Sequence, residues 1–419
     1  MSSSSTGRGL EVAPFRALRF ALANGETAAR VTSPPYDVIS PEEHRRLLVL
    51  SPHNITHLTL GSSPGQPSSY DERGRLLEAW IESGVLRADE DPSFYVNVID
   101  YPVPGQAGKR ARFLGLVGLG RLHPFTDGIV LPHEQTFPKV VDDRLRLLEA
   151  TRANLENIFL LYSDPERALD RLLEAQVKGA PLVRVEARPN EYHELYAVND
   201  VAVFIQITEA LGRQRPIIAD GHHRYTTSLR LLTESRSRGE RIPGADWQMM
   251  TFANLRGDGL SILATHRLAK LKPGSNPDSV VESLLKRFET ASEADSDLQI
   301  ETRSRRVAVR FPAALKSSKQ GVARTAYALV HDVALGEWLH GLADEKDIRY
   351  FKEATGENEA LARGDGDILF RMKPVSPQEL EDVVRGGEVF PHKTTYFYPK
   401  LWSGLALWKL AEPERLALK

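Results

Sequence analysis

The segment Pro216-Ile217-Ile218-Ala219-Asp220-Gly221-His222-His223-Arg224-Tyr225 sets three potentially cationic side chains behind an Asp-Gly pair. An apolar run stops at Asp220, and Thr226 to Leu232 continues as a helix, so the spacing predicts a strand, a tight turn and a helix start. A helix N-terminus already carries about half a positive charge. His222, His223 and Arg224 oppose that charge, where Asp or Glu would be the stabilising choice. An anion seated on the helix start resolves the conflict, and phosphate is the usual one. Gly221 permits a left-handed turn or a close backbone approach. The amides of Gly221 and His222 can cradle phosphate oxygens, with His223, Arg224 and Tyr225 completing the segment and Arg224 adding a forked contact. Asp220 can hold a magnesium ion or cap the helix. The alternative is a capped surface helix with incidental histidines.

A second candidate is His133-Glu134-Gln135-Thr136. Glu134 beside a phosphate site can deprotonate an attacking hydroxyl. A zinc metalloprotease would need a second histidine four positions after His133, and Phe137 stands there instead. A turn in which Glu134 pairs with an arginine such as Arg144 is the competing explanation. Tyr36-Asp37 follows Pro34-Pro35, which forms either a rigid substrate-facing loop or a turn capped by Asp37. Thr265-His266-Arg267 falls at the expected end of a strand and has the same two readings. Lys393 and Lys400 flank the strand-forming run Thr394 to Tyr398 and can reach an anion or stay solvated. No Walker loop, dinucleotide fingerprint, protein-kinase catalytic loop or nucleophile elbow is present.

The chain that must position these residues has 419 of them, with 41% hydrophobic and 26% charged, which suits two or three packed globular units. A net charge of −2 supplies no overall field for DNA or a membrane, so anion binding has to be local. With no cysteine, thiolate catalysis and cysteine-ligated metals are excluded, and a cytoplasmic setting fits. No run reaches the roughly 20 apolar residues of a membrane span. Residues 1–10 read as a disordered tail. Alternation predicts strands over 55–60, 92–103, 112–122, 158–162, 249–254, 260–263, 306–311 and 325–330. Helical periodicity predicts helices from 41, over 70–84, 140–151 and 165–174, and over 278–288.

Taken together, Ser33 to Val38, Pro132 to Thr136, Asp220 to Tyr225, Thr265 to Arg267 and Lys393 to Lys400 resemble a prokaryotic family catalogued as domain of unknown function 1015. Thr394 stands where the family pattern leads one to expect serine, and it keeps the hydroxyl. The Gly-x-x-Arg turn is similar to the nucleotide-binding box of the ParB/sulfiredoxin superfamily, which includes free-serine kinases with Pro-His-Glu and Asp-Gly-His-His-Arg stretches. The resemblance implies a mixed α/β protein with a ParB/sulfiredoxin-like core over 125–270. An N-terminal α/β region (11–124), an α+β module (271–345) and a C-terminal region returning to the site (346–419) would elaborate it. It implies a kinase that transfers phosphate from ATP or ADP, with CTP a further option and Mg2+ as cofactor, to a small-molecule hydroxyl, free L-serine first. Glu134 would be the base, and His133 would orient it or the substrate. Asp220 would place the metal, and Gly221 to Tyr225 would hold the phosphates. Tyr36, Asp37, Thr136, His266, Arg267, Lys393, Thr394 and Lys400 would line the acceptor side. The partners expected are nucleotide and acceptor rather than nucleic acid or membrane, with a homodimer allowed. Two other chemistries compete. A ParB-type nucleotide switch would need a basic DNA-reading face, and sulfiredoxin-like chemistry lacks its cysteine.

Overall fold

The computed structural model describes residues 9–22, 27–64, 69–352, 356–391 and 393–414, so most of the expected N-terminal tail lies outside the described residues. The fold is mixed α/β and is organised on two large sheets. Across the eight-stranded sheet the strands start at residues 217, 158, 247, 110, 94, 191 and 183, and Val12–Ala13 joins beside Arg110–Arg121. Ile158–Tyr162 is continuously apolar because it lies inside the sheet between Ile217–Asp220 and Trp247–Asn254, and all of it is buried. Phe94–Pro102 and Arg110–Arg121 form the expected hairpin, turning through Gly105 and Gly108.

Three helices layer behind the site. Tyr70–Glu82 starts with a reciprocal cap between Ser69 and Glu72 and buries Leu77 and Trp80. It packs on Pro138–Thr151, which packs on His222–Ser237. Pro138 opens the middle helix, where its missing N–H costs nothing.

The second sheet is ordered by strands starting at 289, 306, 298, 368, 261 and 348. Its strand Ser261–Ala269 pairs with three others, one of them Ile368–Met372. Ser261 to Ala264 pair with Thr395–Tyr398, and Thr265 to Ala269 pair with Ile348–Lys352. Residues 271–345 thus contribute strands to a sheet that residues before and after them complete.

Three local expectations are corrected. Residues 55–60 alternate, yet Thr56–Thr59 is helical, because the Asn54 side chain accepts from both the N–H and the hydroxyl of Thr56 and starts a turn. Residues 326–330 are helical because the Thr325 hydroxyl caps the N–H of Ala328. Thr265-His266-Arg267 lies within a strand that runs on to Ala269, so its side chains meet protein on both faces.

Candidate active site

The backbone brings Glu134 to the glycine turn. Leu131 runs parallel to Ile217: its N–H donates to the Pro216 carbonyl at 2.9 Å and its carbonyl accepts from Ile218 at 2.9 Å. His133 and Glu134 therefore run beside Asp220 and Gly221. Gly221 adopts φ 92°, the left-handed region that glycine enters freely, and starts the helix His222–Ser237. That helix has no side-chain cap and no acid in its first turn.

His133 locks this junction. Its Nδ1 lies 2.5 Å from the Ile218 carbonyl, which can only accept, so the proton sits on Nδ1 and Nε2 accepts from the Thr395 hydroxyl at 2.8 Å. Its backbone N–H donates to His222 Nε2 at 3.2 Å, and the two rings meet edge-on at 4.6 Å. Burial pushes the His133 pKa down to about 4, and burial with neighbouring His133 pushes His222 well below the ordinary range. His223 Nε2 accepts from the Phe137 N–H at 3.0 Å. The histidines of the turn are thus used as neutral hydrogen-bonding rings, which corrects the expectation of a triple cationic cluster.

The positive charge comes from Arg224 and Lys400. Arg224 folds back beneath Gly221 to the Asn157 carbonyl, 3.5 Å from Asp220 and 4.0 Å from Glu156. Lys400 donates to Asp220 at 2.7 Å. Burial opposes the charge of Lys400, but Asp220, Tyr396 and Asp37 raise its pKa overall. Asp220 also resists burial: Lys400 and Arg224 hold its carboxyl well below the usual range. Glu156 gathers the remaining walls, accepting from the Tyr36 N–H at 3.0 Å and the Ser403 hydroxyl at 2.8 Å. The Tyr36 ring is covered by Arg144 at 4.4 Å.

Glu134 lies across from this group with a quarter of its side chain exposed and Oε1 3.8 Å from His133 Nε2. Desolvation first, and Asp220 second, push its pKa up to about 7, against the pull of Lys400. Its expected alternative partner, Arg144, is instead paired to Asp143. Asp37 is exposed to solvent beside this group. Crowding by the surrounding chain and repulsion from Asp220 raise its pKa, with Lys400 and Arg224 opposing.

The other candidates are distributed unevenly. Thr136 is half-buried on the Glu134 loop, and Lys393 is exposed with its ammonium 4.4 Å from the centre of the Tyr350 ring. Thr394 is buried and donates to the Pro391 carbonyl at 2.7 Å. Tyr225 points into the core, its hydroxyl exchanging hydrogen bonds with the backbone of His123. His266 is buried and accepts from the Met372 N–H at 3.1 Å. Arg267 is completely buried beside the rings of Tyr327 and Tyr350. Tyr225, His266 and Arg267 therefore brace the walls. Residues that sequence reasoning missed are Glu156, Thr395, Tyr396 and Lys352. Of these, only Thr395 and Tyr396 lay in a segment singled out beforehand.

The chain matches the family described as "Protein of unknown function (DUF1015)" over residues 12–365. It belongs to that family. No curated protein matches this DUF1015 chain. Among solved structures it is similar to SbnI with C-terminal truncation from Staphylococcus aureus, at 14% identity and TM-score 0.37, covering 70% of this chain and 87% of that one. It is also similar to a free serine kinase in complex with AMP, at 17% identity and TM-score 0.33, covering 64% and 83%. A conserved hypothetical protein from Pyrococcus furiosus is similar at 16% identity and TM-score 0.31, covering 64% and 86%. Among the described residues no helix is long and apolar enough to cross a membrane.

Proposed function

We infer that the chain is a nucleotide-dependent small-molecule kinase on a ParB/sulfiredoxin-like core, transferring a phosphoryl group to a hydroxyl, with free L-serine as the first acceptor to try. The observation that carries this is the placement of Glu134, a carboxylate with pKa near 7, beside an uncapped helix start flanked by Lys400 and Arg224. Phosphoryl transfer needs positioning and charge neutralisation more than covalent chemistry. The amides at Gly221, His222 and His223 would receive phosphate oxygens, and Lys400 and Arg224 would lend positive potential from beneath. Glu134 would take the proton from the acceptor hydroxyl, since a base is most effective when its pKa lies near the working pH. His133 would fix the loop that carries Glu134.

Magnesium would be held by Asp37 and Asp220. Asp37 and Asp220 repel one another, and one or two carboxylates plus phosphates is the usual protein share of a magnesium shell. Among the described residues no three His, Asp or Glu side chains group around one metal, so nucleotide and water would complete it. When bound, the ion would neutralise charge on the transferring phosphates.

The test is to supply ATP or ADP, magnesium and a panel of hydroxylated metabolites including L-serine, and to look for phosphorylated product by mass spectrometry. Phosphoserine is the first product expected, and inactivity across the whole panel contradicts the kinase assignment.

A further inference from the structure

A second cavity, of about 710 Å³, opens in the C-terminal half of the chain. Its walls are the helix Pro377–Arg385, residues 321–327 and the approach to the strand Leu298–Glu301. No residue lining it belongs to the cleft at Gly221, and its size suits a small molecule.

Part of the wall carries uncompensated positive charge. Arg324 and Lys373 line the cavity, and neither forms an ion pair among the described residues. Lys373 donates instead to the Ala294 carbonyl at 2.7 Å. Behind the wall stands Arg267, whose guanidinium is completely buried 4.9 Å from the centre of the Tyr327 ring. Tyr327 itself lines the cavity. Arg267 donates to the carbonyls of Thr265 and Lys393, its Nε has no hydrogen-bond partner, and no carboxylate pairs with it among the described residues. A charge in such a dry place is felt farther than one in water.

The helix Pro377–Arg385 supplies the opposite sign. Glu379 and Asp382 both line the cavity, three residues apart on that helix, where side chains are neighbours. Asp382 accepts from the Gln378 amide at 2.8 Å. Burial raises the pKa of Glu379 against a bond from the Ser376 N–H, and repulsion from Asp297 adds to the rise, with Lys316 and Arg324 opposing. The other acids of the wall are engaged: Asp297 pairs with Lys316 at 2.6 Å, and Glu388 accepts from the Val322 N–H at 2.9 Å.

We propose that this cavity binds a small zwitterion of the free amino acid class, its carboxylate toward Arg324 and Lys373 and its ammonium toward Glu379 and Asp382. A guanidinium offers a carboxylate a forked contact, and an ammonium offers three donors to carboxylates. A ligand with one charge alone would meet like charge on the other part of the wall. The site is separate from the proposed kinase cleft and stands or falls without it.

The experiment titrates the common free amino acids by calorimetry into nucleotide-free wild type, Arg324→Gln, Arg324→Lys and Glu379→Gln, with a thermal melt of each protein to show that it is folded. The amine lacking the carboxylate and the acid lacking the amine of the best binder are titrated alongside. At least one amino acid is expected to bind wild type. Arg324→Gln and Glu379→Gln are each expected to weaken it about tenfold or more, and Arg324→Lys to recover part of the loss. Both single-charge analogues are expected to bind at least about tenfold more weakly than the amino acid. No binding of any amino acid, or a single-charge analogue that binds as well, overturns the proposal. Binding unchanged in both Arg324→Gln and Glu379→Gln also overturns it, placing the amino acid in the other cleft and leaving the kinase standing. Binding that both variants weaken, in a protein that turns over no acceptor, keeps the cavity site and overturns the kinase alone.

Discussion

Lys400 and Asp220 meet at 2.7 Å across 180 residues of chain, and both side chains are largely buried. This pair joins the glycine turn to the C-terminal segment. Removing one partner strands the other charge in a poorly hydrated place. Lys400→Met is expected to cost about 3–5 kcal/mol, with Asp220→Asn in the same range. The double variant should lose less than both combined, which a denaturation double-mutant cycle reads directly. Strictly additive losses would show that the pair is uncoupled. Because the folded state lowers the Asp220 pKa, its stabilisation is complete above the ordinary value of 3.8 and is lost as pH falls further.

Glu134 has the opposite sign. Its folded pKa is raised from 4.5 to about 7, so the folded state is favoured at low pH and loses stability as pH climbs between those values. Glu134→Gln is expected to be more stable than wild type at pH 8, by on the order of 3 kcal/mol, and equal to it near pH 4. Wild-type turnover should rise with pH on an acid limb centred near 7. A Glu134→Gln protein no more stable than wild type at pH 8 would show that the carboxylate is not desolvated.

The buried neutral histidines make the fold acid-sensitive. The pKa values of His133 and His266 are lowered from 6.5 to about 4, and that of His222 is also well below 6.5, so the unfolded chain takes up protons first. Stability is full above 6.5 and declines as pH falls toward 4. His266→Gln is expected to flatten this decline in a series of thermal melts. A Tm independent of pH across that window would contradict the neutral-ring arrangement.

Gly221→Ala tests the turn itself. At φ 92° a Cβ is strained, and it would lie 3.2 Å from the Arg224 guanidinium. A loss of about 1–3 kcal/mol is expected, together with weaker nucleotide binding. An unaffected melting curve would mean that the turn adapts.

The sequence revealed the local grammar of this site better than its electrostatics. The Asp220-Gly221 break was legible because few residues besides glycine enter the left-handed region and begin a helix there. Glu134 was legible as a candidate base and the Pro34-Pro35 segment as a rigid loop, and both lie near the turn. The charge of the turn was not legible. His222 is neutral because His133 and the sheet bury it, which no local pattern states. Lys352 ends an ordinary alternating strand, and only the second sheet carries it to Tyr396. His266 and Arg267 were misplaced for a related reason, since their strand does not stop at Leu263 but is held by partners on both sides as far as Ala269. The alternation at 55–60 lost to a single cap from Asn54.

The most direct measurement compares wild type and Glu134→Gln in one experiment: nucleotide affinity by calorimetry, and single-turnover phosphoryl transfer to L-serine with the same nucleotide. Unchanged nucleotide affinity is expected, with transfer slowed about 10²–10⁴-fold in the variant. Transfer at the wild-type rate in Glu134→Gln, or no nucleotide bound by wild type, would contradict the pairing of a phosphate-holding turn at Gly221 with a base at Glu134.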